Sequence, residues 1–475
     1  MNNQLTLDKF IVITFQCVSL LVSLICGYYN LLDGYDWLWC LPLTYFIIFT
    51  IFGYAVWLKD TYTNRLLLYL VNIACFLKYV ITPLSMMSQE YFSVWGSSYG
   101  MWGPTPVPSV MTKAIFMECG EVFFVYITYA FCMKKERRKQ FNGALQNAQG
   151  IQLFQNRVII YLFCAVSFVY ILMVSPDTLS LKSLISVSEM SSSSETSSHP
   201  GITIVFKQIL LISLMLLMMN WIYKRIKNET AKISISYIIL ALYISLNMSY
   251  SRWDLLFALI AGSYVLYVYY GKAVLKYSMA LGCIAVVGVF AISRVKFRYA
   301  LDASSTTKAL ISMLFGQMQD YFSGPRLVAQ SIEARRMFKN EIGMGTIIND
   351  LFGNVPLISE LFDQKNRINR YFCYYNFNRW DNTTLLMPLL GEGYCYLPFF
   401  PWFLSIFYSA LVFKIDRMAK QSKCLEMRYL CILEECWLAF ALCLNSQTSW
   451  GHIIQVFIMT WVVFWINSKV TIKRH

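Results

Sequence analysis

The chain has 475 residues, of which 57% are hydrophobic, 17% aromatic and only 14% charged, and its mean hydropathy is +0.50. That composition excludes a water-soluble globule, whose surface needs more charge, and continuous apolar runs such as 158–175 and 202–223 exclude a transmembrane barrel, whose strands alternate. The net charge of +14 is explained by membrane orientation, as set out below, without a nucleic-acid partner.

The chain therefore reads as an all-α polytopic membrane protein, because helices satisfy their own backbone groups in lipid and about 20 apolar residues cross a bilayer core. In chain order, about twelve spans are expected near 10–30, 37–58, 66–88, 109–133, 158–175, 201–223, 233–250, 253–271, 277–294, 397–415, 429–446 and 450–468. The first is a span and not a cleaved signal peptide, since it lacks a small-residue cleavage site and another span follows at once. These spans divide the chain into a bundle (1–294), a long polar interruption (295–396) and a closing set of spans with a tail (397–475).

Lysine and arginine set the orientation. With the N-terminus inside, the cytoplasmic pieces collect Lys9, Lys59, Arg65, the stretch Lys134 to Arg157, Lys224 to Lys232, Lys272, Lys276, Lys414 to Arg428 and the tail from Lys469, 23 basic residues in all. The short outer loops hold two, Lys182 and Arg252. Cytoplasmic loops carry the excess of basic residues, and long translocated loops are exempt from that rule. Both termini are thus expected in the cytoplasm and the 295–396 loop outside.

Two outer segments read as accessory. The Gly-, Trp- and Pro-rich stretch Gln89 to Pro108 suits either interfacial anchoring or the wall of an aromatic cleft, and Asp177 to Gly201, with its serine run, reads as a low-complexity loop. Most of the 14 cysteines lie in spans; Cys373 and Cys395 face the outside, where a disulfide is one option. No Cys/His spacing suits a metal, and three histidines (His199, His452, His475) exclude a histidine-rich site.

Charges inside spans give the next clue. Lys78, Lys113 and Lys207 fall in outer halves, and Glu118 and Glu121 are three apart on one face of span four. Such charges either snorkel outward or converge on an aqueous cavity. Glu434 and Glu435, nearer the cytoplasmic end of their span, read as structural.

The long loop opens with Arg294, Lys296 and Arg298 at the membrane surface and passes through Ser304 and Ser305, an N-cap for an interfacial helix from Ala309 to Phe322. In Tyr321-Phe322-Ser323-Gly324-Pro325-Arg326, Gly-Pro ends one helix and Pro325 can start the next, placing Arg326 in a first turn whose free N–H groups favour anions. Arg379-Trp380-Asp381-Asn382 and Gly391-Glu392-Gly393-Tyr394 precede re-entry into the membrane. Arg252, in the tight turn Ser249-Tyr250-Ser251-Arg252, is a further outer basic group, paired either with Asp254, with lipid phosphate or with a substrate.

The Ser-Tyr-Ser-Arg turn, the loop opening Tyr321-Phe322-Ser323-Gly324 and the Asp381-Asn382 to Gly391-Glu392-Gly393 segment, in this hydropathy layout, resemble the Wzy-type polymerases of surface polysaccharides, relatives of the O-antigen ligases. The resemblance implies a GT-C-like helical fold in the bacterial inner membrane. It also implies an enzyme that joins undecaprenyl pyrophosphate-linked oligosaccharide repeat units on the periplasmic face, with no metal, cofactor or nucleotide sugar, and with a chain-length regulator and a flippase as partners. By the same resemblance Arg252 and Arg326 bind pyrophosphate. The ligases place a histidine before an Asn where this chain has Asp381, which sets it apart from their mechanism.

The chemistry asks for a fixed cationic clamp on the departing pyrophosphate, for which a guanidinium is suited by its planar fork, and for a carboxylate to take the acceptor hydroxyl's proton. Glu392 and Asp381 are the candidate bases, Glu392 favoured because its flanking glycines permit close approach. Arg298, Arg379, Asn382 and Lys113 are further substrate-binding candidates, and Tyr321, Tyr374, Tyr375 and Trp380 either stack on sugar rings or pack the loop. An O-antigen ligase, another lipid-linked glycosyltransferase, a flippase and a transporter are the competing readings. A transporter of the common kind would show two similar halves with midplane sites, and a flippase has no need of so large an outer loop.

Overall fold

The structure is a computed structural model that describes residues 2–28, 35–53, 65–92, 103–140, 153, 157–174, 201–247, 252–284, 318–356, 358–380, 385–422 and 424–469. The described residues form helices and connecting turns with no extended sheet. Seven stretches are long and apolar enough to cross a membrane: Lys9–Tyr28, Leu66–Met87, Pro108–Lys134, Ile202–Arg225, Glu229–Leu246, Trp253–Ile284 and Ser446–Lys469. Cys40–Phe52 and Val158–Val174 are shorter apolar helices. This is an all-α multi-pass membrane architecture.

The helices, numbered in chain order, are α1 (Asn2–Tyr28), α2 (Cys40–Ile48), α3 (Arg65–Phe76), α4 (Thr82–Phe92), α5 (Pro108–Gln140), α6 (Val158–Val174), α7 (Gly201–Arg225), α8 (Glu229–Asn247), α9 (Arg252–Tyr270) and α10 (274–284). A π-helical turn, Leu77–Ile81, joins α3 to α4. Between α9 and α10, Gly271 takes φ +64°, a left-handed conformation that glycine adopts without a Cβ penalty. The hydroxyl of Tyr237 bonds Val274 O (3.1 Å) and Ser278 Oγ (2.6 Å) and also reaches Ser263. In one straight helix residues 263 and 278 would stand roughly 22 Å apart, so the chain turns sharply at Gly271 and α9 and α10 are separate rods.

The segment between the tenth and fifteenth helices folds, where described, as a cap of α11 (Pro325–Met337), α12 (Met344–Phe352), α13 (Ile368–Phe377) and α14 (Leu389–Tyr396). It has an apolar core of its own, built from Leu327, Ala334, Phe338, Ile342, Ile368, Phe372, Leu385 and Met387. Pro325 opens α11 after Gly324, and α13 ends on Asn378 in the left-handed region, whose N–H closes on Tyr374 O. Of the expected interfacial helix only residues 318–322 are described, and they are helical.

The chain closes with α15 (Phe403–Gln421), α16 (Leu425–Ala439) and α17 (Ser446–His452), which continues through a π-helical turn into α18 (Met459–Lys469). The expected spans 397–415 and 429–446 fall on α15, which carries Lys414, Asp416, Arg417 and Lys420 toward its end, and on the 15-residue α16. Cys373 and Cys395 are buried free thiols, so no disulfide joins them.

The intramembrane charges converge in part. Lys78 lies fully buried with its Nζ 2.8 Å from Glu121 Oε2 and 2.8 Å from Leu442 O, and Tyr79 and Ser405 donate to the two oxygens of Glu121. Snorkelling is therefore not its solution. Burial of an ammonium is offset here by a carboxylate and a carbonyl, which tie the α3–α4 turn, α5 and the segment after α16 together. Lys207 stands within electrostatic reach of Asp254.

Candidate functional site

Helix α11 holds the segment 103–107 along one face. Arg326 donates from Nη2 to Gly103 O (3.3 Å), Gln330 from Nε2 to Pro104 O (3.0 Å), and Glu333 Oε1 accepts from Val107 N (2.8 Å). Residues at i, i+4 and i+7 share a helix face, so one apolar-polar stripe of α11 holds this whole segment. Gly103 is at φ +76°, and a Cβ there would lie 1.9 Å from Asn376 Oδ1. The wall suggested by the Gln89–Pro108 composition is thus, at 103–107, clamped to the cap. Arg326 is buried (6% exposed) beneath it.

Helix α14 packs on α11 at Gly391 and on the turn before α15 at Gly393. A Cβ on Gly391 would lie 2.3 Å from Ser331 Oγ, and one on Gly393 would lie 2.0 Å from Pro401 O. Close approach is required by the protein's own backbone and side chains. Glu392 between them has no exposure; its Oε2 accepts the backbone N–H of Ser446 at 2.6 Å, and its Oε1 is buried without a partner. Burial, then the nearby Asp350, pushes this carboxyl well above the usual carboxylate range.

Asp350, at the end of α12, was not among the residues singled out from the sequence. It accepts hydrogen bonds from Ile368 N (3.2 Å), from the Tyr396 hydroxyl and from Gln447 Nε2, and burial pushes its carboxyl up to about 6 against those hydrogen bonds. Arg367 stands beside it, with Nη1 on Asn354 Oδ1 (3.0 Å), and Asn354 in turn donates to Gln447 O (2.9 Å). Two buried carboxyls from the cap thus meet the first turn of α17, the start of the last span. Nothing in the local sequence marks Asp350, because its partners lie 18, 46 and 97 positions away.

Lys113 of α5 donates to the Tyr394 hydroxyl (2.9 Å) and lies 4.3 Å from that ring's centroid, next to the Glu392 helix. Tyr321 is half-buried with its ring 6.4 Å from Trp253, whose ring is 6.0 Å from Phe322, so the start of α9 abuts the loop segment leading to Arg326. Arg252 is the first residue of α9, and only its backbone is described. Arg379 is exposed, just after the left-handed Asn378. Tyr375 donates to Glu333, whereas Tyr374 stacks on Trp380 at 4.3 Å, leaving Trp380 45% exposed. Arg298, Asp381 and Asn382 lie outside the described residues.

Among the described residues no cluster of His, Cys, Asp and Glu could hold a metal ion. Comparison with protein-family models, with curated proteins and with solved structures finds no match.

Proposed function

We propose that this chain is a membrane polymerase of the Wzy type, a bacterial inner-membrane protein of about twelve spans and GT-C-like architecture. It joins undecaprenyl pyrophosphate-linked oligosaccharide repeat units on the periplasmic face. The observation that carries the reading is the helical cap that brings Arg326, Lys113, Glu392 and Asp350 together on α11, α5, α14 and α12, a cap that this reading puts on the periplasmic side. A lipid-linked donor already carries a good leaving group, so cations and hydrogen-bond donors fixed at the membrane surface are what the transfer needs.

In this reading Arg326 and Arg252 hold the pyrophosphate, and the exposed face of Trp380 takes a sugar ring. Glu392 handles a proton. An oxygen with neither partner nor exposure is a place for a proton more than for a charge, so Glu392 suits holding a proton within the cap better than taking one from the acceptor hydroxyl. The chain-length regulator and the flippase are the partners this role requires.

Deletion followed by analysis of surface glycan tests the reading. A polymerase mutant leaves single repeat units on the carrier or core, a ligase mutant accumulates long polymer on the carrier, and a flippase mutant exposes none. Either of the last two outcomes overturns the proposal. In the purified protein Arg326→Ala and Arg326→Lys are both expected to lose polymer formation, because a point charge lacks the bidentate fork.

A further inference from the structure

A carboxylate–imidazole pair lies one helix away from this cap. Glu434 of α16 places Oε2 2.7 Å from Nδ1 of His452 on α17, and the Trp437 ring lies nearly parallel to the imidazole at 4.5 Å. Glu434 is buried, with Oε1 lacking a partner. The carboxylate and the indole face together fix the ring's plane. With Nδ1–H directed at Glu434, the free lone pair is on Nε2, to which no hydrogen bond is made among the described residues.

This pair is continuous with the Glu392 site. His452 follows Ser446 by six residues on the same helix, about 9 Å along its axis. The Tyr408 hydroxyl donates to Ser446 O (3.3 Å) and stands within electrostatic reach of both Glu392 and Glu434. A single helix thus offers a backbone N–H to Glu392 at its first turn and an oriented imidazole two turns on.

We propose that His452 is the base of the transfer and Glu434 its positioning residue, an assignment that rests on the polymerase reading. The acceptor sugar's O–H gives its proton to Nε2 while the oxygen forms the new bond to the donor's anomeric carbon. The anomeric carbon–oxygen bond to pyrophosphate breaks, and the lipid pyrophosphate leaves with the electron pair. Glu434 stabilises the resulting imidazolium, which returns its proton to water. This is the division of labour between histidine and carboxylate found in nucleophile-activating triads.

The test uses the full-length protein with lipid-linked repeat units. His452→Ala is expected to lower kcat by about 10²–10⁴-fold, with donor binding retained. Added imidazole should restore part of that turnover, which a merely structural histidine would not allow. His452→Gln should lose turnover in the same way, and guards against a folding defect in the smaller variant. Glu434→Gln should lower kcat, and Glu434→Asp should recover part of it. Separately, diethyl pyrocarbonate should acylate His452 in the wild-type protein, read by peptide mass. Wild-type turnover in His452→Gln, or a loss that imidazole does not relieve in either variant, overturns the assignment. Polymer formation with His452 inert to the reagent overturns this inference alone. A wild-type protein that joins no repeat units overturns the polymerase reading, whatever the labelling.

Discussion

The Lys78 ammonium and the Glu121 carboxylate pair at 2.8 Å with neither side chain exposed, and Leu442 O takes a second hydrogen bond from the same nitrogen. Breaking such a pair leaves a buried charge unmatched, at a cost of about 3–5 kcal/mol, whereas removing both partners together is far milder. Lys78→Met is therefore expected to lower the thermal transition of the detergent-purified protein strongly. The double variant Lys78→Met with Glu121→Gln should recover most of the loss. Equal loss in the single and double variants would show that packing, and not charge, holds this place together.

Gly103→Ala should detach the 103–107 segment from α11. The residue combines a left-handed φ with an Asn376 oxygen standing where a Cβ would go, so alanine meets both backbone strain and the Asn376 side chain. A cost of about 1–3 kcal/mol is expected. Amide exchange within 103–107 and at the start of α11 should rise while exchange in α16 stays unchanged; unaltered protection at both would contradict the clamp.

Asp350 makes the cap's stability depend on pH. Its folded carboxyl titrates at about 6, above its ordinary 3.8, so the folded state holds the proton more tightly. Stability from this group is full below about pH 4 and is lost as pH rises through 6, a change of roughly 3 kcal/mol. Glu392, raised in the same sense, adds to the trend. Exchange protection of α12 to α14 should fall between pH 4.5 and 7, and Asp350→Asn should flatten that slope. A slope of opposite sign would mean that the hydrogen bonds to Asp350 outweigh its burial.

Reporter fusions test orientation. A fusion after Gln146 should behave as cytoplasmic and one after Lys339 as external, as the distribution of lysine and arginine requires. Cytoplasmic behaviour after Lys339 would invert the cap and remove the functional reading with it.

The helices were legible because hydropathy is a local, continuous signal, and the start of α11 because Gly324-Pro325 is punctuation that any helix obeys. Separate rods at α9 and α10 were also readable, from Gly271 followed by Lys272 and Lys276. The polar contacts of the site were another matter. Glu392 could be singled out by its flanking glycines, yet its partner, Ser446, is 54 residues on, and nothing in the sequence near either residue announces the other. Asp350 and Gln447 are 97 positions apart, and His452, one of three scattered histidines, meets Glu434 from 18 positions away on a different helix. Partnerships of that range are decided by how the rods pack.

Those long-range pairings also impose an order on biosynthesis. The ribosome releases Lys78 and Glu121 long before Leu442 exists, and it completes the cap before Ser446 and Gln447 can reach Glu392 and Asp350. On the proposed topology the cap is therefore translocated with Glu392 still lacking its Ser446 partner and Asp350 holding only Ile368 and Tyr396, and both sites are completed when the final helix follows. A nascent chain stalled before that helix would present the cap in a loosened form, so proteases and chaperones on the outer side could read from it whether synthesis had finished.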